Sequence, residues 1–218
     1  MHQVGDSEFG PEGTLLDLQL KGAGLTPFSR TADGRAVLRS SIREFLASEA
    51  MFYLGVPTTR AASLIVSDKS QVVRDKLYNG NASKEKCAVV LRVAPTFFRF
   101  GSFEIFLPVN EVTQRQGPSH GLKEQMMQPM LDYLIQNFYP SVVSGFPDES
   151  AKHMQVQVMY EELVQSTAKM VALWQCYGFC HGVLNTDNMS MLGLTIDYGP
   201  FGFLEHYDPK FICNHSDD

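Results

Sequence analysis

The chain has 218 residues, of which 44% are hydrophobic, 11% aromatic and 19% charged, as in a globular protein with a buried core. Its formal net charge of −6 excludes a non-specific hold on nucleic acid, so a phosphate site would need a local cluster of Lys and Arg. No apolar run reaches the roughly 18 residues that a membrane-spanning helix needs. We expect neither nucleic acid nor membrane as a partner.

The chain is predicted to open with a loop and a strand. Residues 1–13 contain three glycines and a proline, which indicates a loop. Leu15 to Lys21 then alternates apolar and polar residues, the period of a half-buried strand. Lys21 points to the face opposite Leu20.

The first helix is predicted from Ser40 to Leu54. Ser40 is its candidate N-cap and Gly55 its stop signal. Glu44 lies near the border of the apolar stripe, from which its carboxylate could reach inward.

Two arginines follow in apolar surroundings. Val56 to Ser67 indicates a turn leading into a strand, Lys76 to Lys86 a polar loop, and Cys87 to Val93 a β-branched strand. Arg92 lies inside that last strand, and Arg99 lies in the aromatic-rich segment after it. A guanidinium in an apolar strand needs a partner. A structural ion pair and an anion site both remain open.

The second half is predicted to be mainly helical. Asn110 to Leu122 indicates a loop. Apolar residues at helical spacing then predict one helix from Glu124 to Phe138 and a longer one from Val156 to Tyr177.

Asp187, Asn188 and the segment Asp197-Tyr-Gly have the layout of a metal and nucleotide site. In protein kinases, a loop Asp polarises the acceptor hydroxyl, an Asn holds one magnesium ion, and the Asp of a later Asp-Phe-Gly holds magnesium between the phosphates. The apolar run from Met189 to Ile196 can form a hairpin between Asn188 and Asp197. Asp-Asn and Asp-Tyr-Gly are also common turn sequences, which is the alternative interpretation.

The order of these residues predicts an α+β, two-lobed, protein-kinase-like fold. A strand lysine (Lys21) precedes a helical glutamate (Glu44), and the loop and metal-type residues come last. We predict an N-lobe of sheet and helix over residues 1–115, incomplete at its start, and a partial, mainly helical C-lobe over residues 116–218.

Long segments of the chain closely resemble the selenoprotein O family of protein adenylyltransferase pseudokinases. They are Leu18–Gly24, Asp33–Leu46, Gly55–Arg60, Val90–Val93, His181–Ser190 and Asp197–Phe203. The resemblance implies a kinase fold that binds ATP flipped, with Mg²⁺, or Mn²⁺ in its place, as the metal ion. It also implies transfer of AMP to Ser, Thr or Tyr hydroxyls of protein substrates.

The resemblance further implies a role for each matched residue. Asp187 would be the catalytic base, and Asn188 and Asp197 would bind the metal. The nucleotide would be held by Asp197 and by Lys21, Glu44, Asp33, Gly34, Arg92 and Arg99. Glu44 would orient Lys21, and the two arginines would bind the outer phosphates.

Family members carry a glycine-bearing nucleotide loop before the Lys21 strand, and further helices with a Cys or selenocysteine motif after the Asn214 region. We therefore expect this chain to be a truncated member, and for a eukaryotic member the family implies mitochondria. Two other functions remain open: a true protein kinase using the same carboxylates, and a catalytically silent nucleotide-binding scaffold.

Overall fold

The structure, a computed structural model, describes residues 2–8, 15–26, 29, 32–75 and 80–214. The predicted loops at residues 1–13 and 76–86 lie partly outside these ranges. The fold is α+β, as the sequence predicts. The chain forms two compact units, the first from Met1–Phe97, Cys180–Val183 and Thr195–Asp218 and the second from Phe98–Phe179 and Leu184–Leu194.

An antiparallel sheet dominates the first unit. Its strands are β1 His2–Glu8, β2 Leu15–Lys21, β3 Ala36–Val37, β4 Arg60–Asp75 and β5 Ala82–Ala94. Strand β5 is the centre of the sheet, because it pairs with β2, β3 and β4, while β1 pairs with β2. Two short strands, β6 Phe179–Cys180 and β7 Gly202–Phe203, lie later in the chain.

Strand β2 is confirmed at the predicted residues, but its polar face is the more buried one. Asp17 and Gln19 are each 9% exposed, whereas Leu16, Leu18 and Leu20 are half-buried. The reason is pairing: Gln19 lies opposite Arg92 in the sheet register, and the carboxylate of Asp17 accepts hydrogen bonds from elements beyond β5. The buried polar groups are therefore hydrogen-bonded, as such groups must be.

Two of the predicted loops are wrong in part. Residues 2–8 form strand β1, and residues 82–86 belong to β5, where they pair with residues 71–75 of β4. Ladder hydrogen bonds join backbone groups, so polar side chains do not prevent two strands from pairing. The β-branched core of β5 was predicted from its composition, but its polar extension was not.

Helix α1 runs from Leu38 to Tyr53, so it begins two residues before the predicted start. Ser40 is not the N-cap; its hydroxyl donates to the carbonyl oxygen of Val37 at 2.9 Å. The predicted end is confirmed, because the helix stops before Gly55, which has a φ of +78°. A left-handed residue of this kind is the usual helix terminator.

The second unit is mainly helical. Helix α2 spans Lys123–Phe138, α3 Pro140–Gly145 and α4 Lys152–Cys176, so both predicted helices are confirmed, with α4 beginning four residues early. Their apolar faces form one core together with two residues outside the helices, Tyr139 and Met191. The helix residues of this core are Leu134, Ile135, Val142, Met159 and Leu163. Short 3₁₀ helices lie at Phe100–Phe106, His120–Leu122, Glu149–Ala151 and Thr186–Asn188.

The predicted hairpin between Met189 and Ile196 is absent from the described part of the chain. Ser190 instead forms an isolated antiparallel bridge with Arg99, and the Met191 N–H donates to the Phe98 carbonyl at 3.0 Å. None of the helices in the described ranges has the length and hydropathy needed to span a bilayer.

Candidate functional site

Four charged side chains of the first unit form one cluster. The Lys21 Nζ lies 2.6 Å from Glu44 Oε2 and also pairs with Asp197 Oδ1. The guanidinium of Arg92 reaches both acids through NH1, at 2.9 Å from Glu44 Oε1 and 2.8 Å from Asp197 Oδ1. Its NH2 donates to the side-chain oxygen of Gln19. The structural ion pair, one of the two interpretations of Arg92, is therefore present.

The cluster has a buried side and an open side. The side chains of Arg92 and Glu44 are only 2% and 5% exposed, while those of Lys21 and Asp197 are each 25% exposed. Two cations face two carboxylates, so the buried charges are balanced, which is the condition under which charges are tolerated inside a protein. A ligand can reach the cluster through Lys21 and Asp197.

The backbone around Asp197 is held on both sides. The Thr195 N–H donates to the Pro57 carbonyl at 2.8 Å, and Thr59 N–H donates to the Thr195 carbonyl at 3.0 Å. The Tyr198 hydroxyl hydrogen-bonds the hydroxyl of Thr58. Asp197 itself has a φ of +69°, a left-handed conformation that Asp adopts more readily than most residues. Its carboxylate is therefore directed by a fixed backbone.

His181, in its neutral form, is hydrogen-bonded to the backbone next to Asp197. Its Nε2 lies 2.9 Å from the Ile196 carbonyl oxygen, and the Val183 N–H donates to Nδ1 at 3.3 Å. Nδ1 is thus an acceptor and Nε2 carries the proton. Burial lowers the pKa of His181, which keeps the ring neutral. Burial likewise raises the pKa of Tyr198 and keeps its phenol protonated.

Asp33 and Gly34 lie in a separate turn of the first unit. The Asp33 carboxylate accepts from Arg74 NH2 at 2.7 Å and from the Arg35 N–H at 2.9 Å. The hydrogen bond from Arg74 is the main reason why the pKa of Asp33 is lowered. Gly34 has a φ of +68°, and its carbonyl accepts from the Gly24 N–H at 3.1 Å. Within the described residues, neither Asp33 nor Gly34 forms a hydrogen bond or an ion pair with a member of the charged cluster.

In the second unit, Asp187, Asn188 and Arg99 lie together. Asp187 and Asn188 belong to the 3₁₀ turn Thr186–Asn188, in which the Asp187 side chain is exposed and Asn188 is buried. Arg99 NH1 donates to the backbone carbonyl of Asp187 at 2.8 Å, and the Phe100 N–H donates to the Met189 carbonyl at 3.0 Å. Arg99 thus fixes the backbone that carries the two predicted site residues.

Gly101 lies against a predicted site residue, and the sequence interpretation did not point to it. A Cβ at this position would lie less than 3.0 Å from the Oδ1 of Asp187, a distance that real Cβ atoms essentially never show. The Asp187 carboxylate therefore occupies space that only a glycine leaves. Gln19 was missed as well, although its place opposite Arg92 follows once the strands are aligned.

The predicted metal ligands are oxygen donors, which suit Mg²⁺. Asp197 offers a carboxylate in the first unit and Asn188 an amide in the second. The described residues contain no group of three or more His, Cys, Asp or Glu side chains that could hold a metal ion. Mg²⁺ bound with substrate phosphates usually keeps several waters and takes only one or two protein ligands.

Comparison with known proteins gives consistent matches along the chain. The family described as "Protein adenylyltransferase SelO" matches residues 3–218. The chain is 61% identical over 202 residues to the mitochondrial protein adenylyltransferase SelO-1 of Danio rerio, covering 93% of this chain and 28% of that protein. It is 61% identical over 206 residues to the mitochondrial SelO of Homo sapiens, covering 94% of this chain and 30% of that protein.

The similarity extends to bacterial proteins. The protein nucleotidyltransferase YdiU of Flavobacterium johnsoniae is 49% identical over 221 residues, covering 99% of this chain and 39% of that protein. The chain thus spans between 28% and 39% of the length of these three relatives. Because the family match extends over nearly all of its residues, the chain belongs to the protein adenylyltransferase SelO family.

Proposed function

We propose that this chain is part of a protein adenylyltransferase with a two-lobed, kinase-like fold, its lobes formed by residues 1–115 and 116–218. It would transfer AMP from ATP to Ser, Thr or Tyr hydroxyls of protein substrates, with the nucleotide in the flipped orientation. The vertebrate relatives are named mitochondrial, which supports the same compartment for this chain.

The observation that carries the proposal is the position of Arg92. A lysine on a strand paired with a glutamate on the next helix is the arrangement that kinases use. Here a buried arginine also contacts that glutamate and Asp197. Attack at the α-phosphorus releases pyrophosphate, and negative charge develops on this leaving group in the transition state. An additional cation beside Lys21 suits that leaving group.

The reaction assigns a separate task to each residue. The substrate hydroxyl oxygen attacks the α-phosphorus while Asp187 accepts its proton. The bond between the α-phosphorus and the bridging oxygen breaks, and that oxygen leaves on pyrophosphate with the bonding electrons. Lys21, Arg92 and Arg99 would neutralise the phosphate charge, with Glu44 orienting Lys21. Asp33 and Gly34 would border the nucleotide.

Asn188 and Asp197 would hold Mg²⁺, or Mn²⁺ in its place. The ion would supply charge neutralisation at the phosphates. To serve this purpose, the Asp197 carboxylate must share its oxygens between the ion and the two cations that contact it.

Two other functions use the same residues. A protein kinase would transfer the γ-phosphoryl group, and a silent scaffold would bind the nucleotide without transfer. The buried arginine that contacts Glu44 and Asp197 adds a second positive charge beside Lys21. Such a charge suits a pyrophosphate leaving group, so we favour the adenylyltransferase.

The test is incubation of the chain with a protein acceptor, Mg²⁺ and ATP labelled with ³²P at either the α or the γ position, beside the Homo sapiens relative as a reference. Label from the α position alone indicates adenylylation, and label from the γ position alone indicates a kinase. Transfer from neither, with nucleotide binding retained, would mean that this part of the protein binds the nucleotide without transferring any of it.

Asp197→Asn is the informative variant, because Asn tolerates the left-handed backbone and removes only the charge. The matched control is Asp68→Asn, which removes an exposed carboxylate from β4. We expect Asp197→Asn to abolish transfer and Asp68→Asn to leave it unchanged. Equal activity of the two variants would refute the role proposed for Asp197.

A further inference from the structure

Tyr198 is a buried tyrosine whose ring packing does not account for its hydroxyl. The residue is 3% exposed, and its ring packs edge-on against Phe201, with 5.9 Å between the ring centroids. A phenylalanine would make the same ring contact without placing a polar group inside the protein. A buried hydroxyl is unfavourable unless it is hydrogen-bonded, and the Tyr198 hydroxyl is bonded to that of Thr58. This bond therefore contributes something that ring packing does not.

The Thr58 hydroxyl contacts the chain on both sides of Asp197. Burial raises the pKa of Tyr198, so the phenol stays protonated and can donate to Thr58 Oγ1. The Thr58 hydroxyl can then donate its own proton to the Thr195 carbonyl, which lies 3.2 Å away. Thr195 lies two residues before Asp197, and Tyr198 lies one residue after it. A single threonine hydroxyl thus joins the two ends of the segment that carries the carboxylate.

The backbone beside Thr58 is itself fixed. Thr58 forms an isolated parallel bridge with Thr195. The Pro57 carbonyl accepts hydrogen bonds from both the N–H and the hydroxyl of Thr195, each at 2.8 Å. Thr195 and Thr58 are only 0% and 9% exposed. Because these groups are buried and hydrogen-bonded to each other, Thr58 is a rigid anchor for the Tyr198 hydroxyl.

Asp197 needs such an anchor because its backbone is left-handed. Its φ of +69° is unfavourable for a residue with a Cβ. A conformation of this kind persists only where the surrounding structure determines it. In this conformation the carboxylate pairs with Lys21 and lies 2.8 Å from Arg92 NH1. A released backbone would carry the carboxylate away from both cations.

In protein kinases, the Phe of the corresponding Asp-Phe-Gly sets the active or inactive state through its packing. We propose that Tyr198 is a positioning residue, whose hydroxyl bond to Thr58 holds Asp197 in its left-handed conformation and so fixes the direction of the carboxylate. The inference rests on the role proposed above for Asp197 in binding the metal and the nucleotide. The restraint on the carboxylate is a property of the chain without either ligand, and it can be measured separately.

The first measurement is the ¹³C shift of the Asp197 carboxyl carbon in the chain without nucleotide or metal. Tyr198→Phe removes only the phenol oxygen, and Thr58→Val replaces the hydroxyl by a methyl group. Both variants should move this shift, whereas Thr58→Ser, which keeps a hydroxyl, should retain the native value. Tyr207→Phe is the matched control, because it removes a phenol hydroxyl from a residue that is 86% exposed. An unmoved shift in Tyr198→Phe would overturn the proposal.

The second measurement is Mn²⁺ binding in the presence of ATP, followed by the electron paramagnetic resonance signal of free Mn²⁺. Tyr198→Phe and Thr58→Val should each raise the Kd of Mn²⁺ roughly five-fold, the effect of losing one hydrogen bond. Thr58→Ser and Tyr207→Phe should keep the native Kd. A purely structural bond would lower the Tm of Tyr198→Phe but leave the Kd and the carboxyl shift at their native values, which would contradict the proposal.

The double variant Tyr198→Phe with Thr58→Val tests whether the two hydroxyls act through one another. Because both single changes break the same bond, the Kd of the double variant should rise by less than the product of the two single increases. An increase equal to that product would mean that the hydroxyls act independently, and the proposal would be wrong. Failure of the proposed function looks different. If the native chain binds no Mn²⁺ in the presence of ATP, Asp197 is not a metal ligand, while the carboxyl shift still decides whether Tyr198 positions it.

Discussion

Arg92 and Glu44 form a buried ion pair, with 2.9 Å between NH1 and Oε1 and side-chain exposures of 2% and 5%. Replacing one partner leaves the other charge buried without compensation, which typically costs about 3–5 kcal/mol. We expect Arg92→Met to lower the free energy of unfolding by roughly that amount, at the lower end because Lys21 still contacts Glu44. Urea unfolding at constant pH measures the change.

The double variant Arg92→Met with Glu44→Leu provides the control. Because both charges are then removed, its loss of stability should be smaller than the sum of the two single losses. Strict additivity would mean that the two side chains do not interact.

The sequence predicted this cluster only in part, and the physical reason lies in strand β2. The alternation of apolar and polar residues correctly predicted the strand and placed Lys21 on the face opposite Leu20. It also suggested that the leucine face of the strand is the buried one. Asp17 and Gln19 are more buried because partners from other elements satisfy them. Those partners are known only once the register of β2 and β5 is known.

Helices α2 and α4 were predictable for the opposite reason. Their apolar residues recur with helical spacing and pack into one core, so local pattern and tertiary packing agree. The start of α1 could not be predicted, because its N-terminal turn has no side-chain cap. The left-handed backbone of Asp197 leaves no pattern in the sequence either.

Gly34→Ala should be far more destabilising than an ordinary substitution of a left-handed glycine. At φ +68° the new Cβ would lie less than 3.0 Å from the backbone of Gly24, so one of the two backbone segments must shift. Such a shift weakens the hydrogen bond from the Gly24 N–H to the Gly34 carbonyl. Gly55→Ala is the matched control, since Gly55 has a similar φ of +78° but a Cβ added there would meet no atom within 4 Å.

We expect Gly55→Ala to cost about 1–2 kcal/mol, the penalty for the left-handed backbone alone, and Gly34→Ala clearly more. Chemical denaturation of both variants measures the difference. Equal losses would show that the turn between Gly24 and Gly34 adapts without strain.

His181 should make the first unit less stable in acid. Burial lowers its pKa in the folded state, while in the unfolded chain the pKa is about 6.5. Below that pH the unfolded chain binds a proton that the folded chain does not, so stability is present above pH ~6.5 and is lost as the pH falls. The slope contributed by this residue approaches about 1.4 kcal/mol per pH unit.

The measurement is the free energy of unfolding between pH 7.5 and pH 5 for the native sequence and for His181→Gln. The variant should lose this slope, whereas His206→Gln, which changes an exposed histidine, should keep it. Parallel curves for the native chain and His181→Gln would contradict a neutral buried imidazole.

Gly101→Ala should move the Asp187 carboxylate without unfolding the protein. The added Cβ would lie less than 3.0 Å from Asp187 Oδ1, so the carboxylate has to rotate away. Gly101 does not have a left-handed backbone, and Ala is well tolerated in helical segments, so Tm should change little. A displacement of a catalytic group by about 1 Å can lower a rate roughly 10²-fold, which is the loss of transfer activity that we expect.

Gly121→Ala is the control, because a Cβ there meets no atom within 4 Å. It should leave both activity and Tm unchanged. The ¹³C shift of the Asp187 carboxyl carbon gives a readout that is independent of activity, and it should move in Gly101→Ala only. If that shift moves while transfer remains at the native rate, Asp187 does not accept the proton; if neither changes, the carboxylate does not occupy the space beside Gly101.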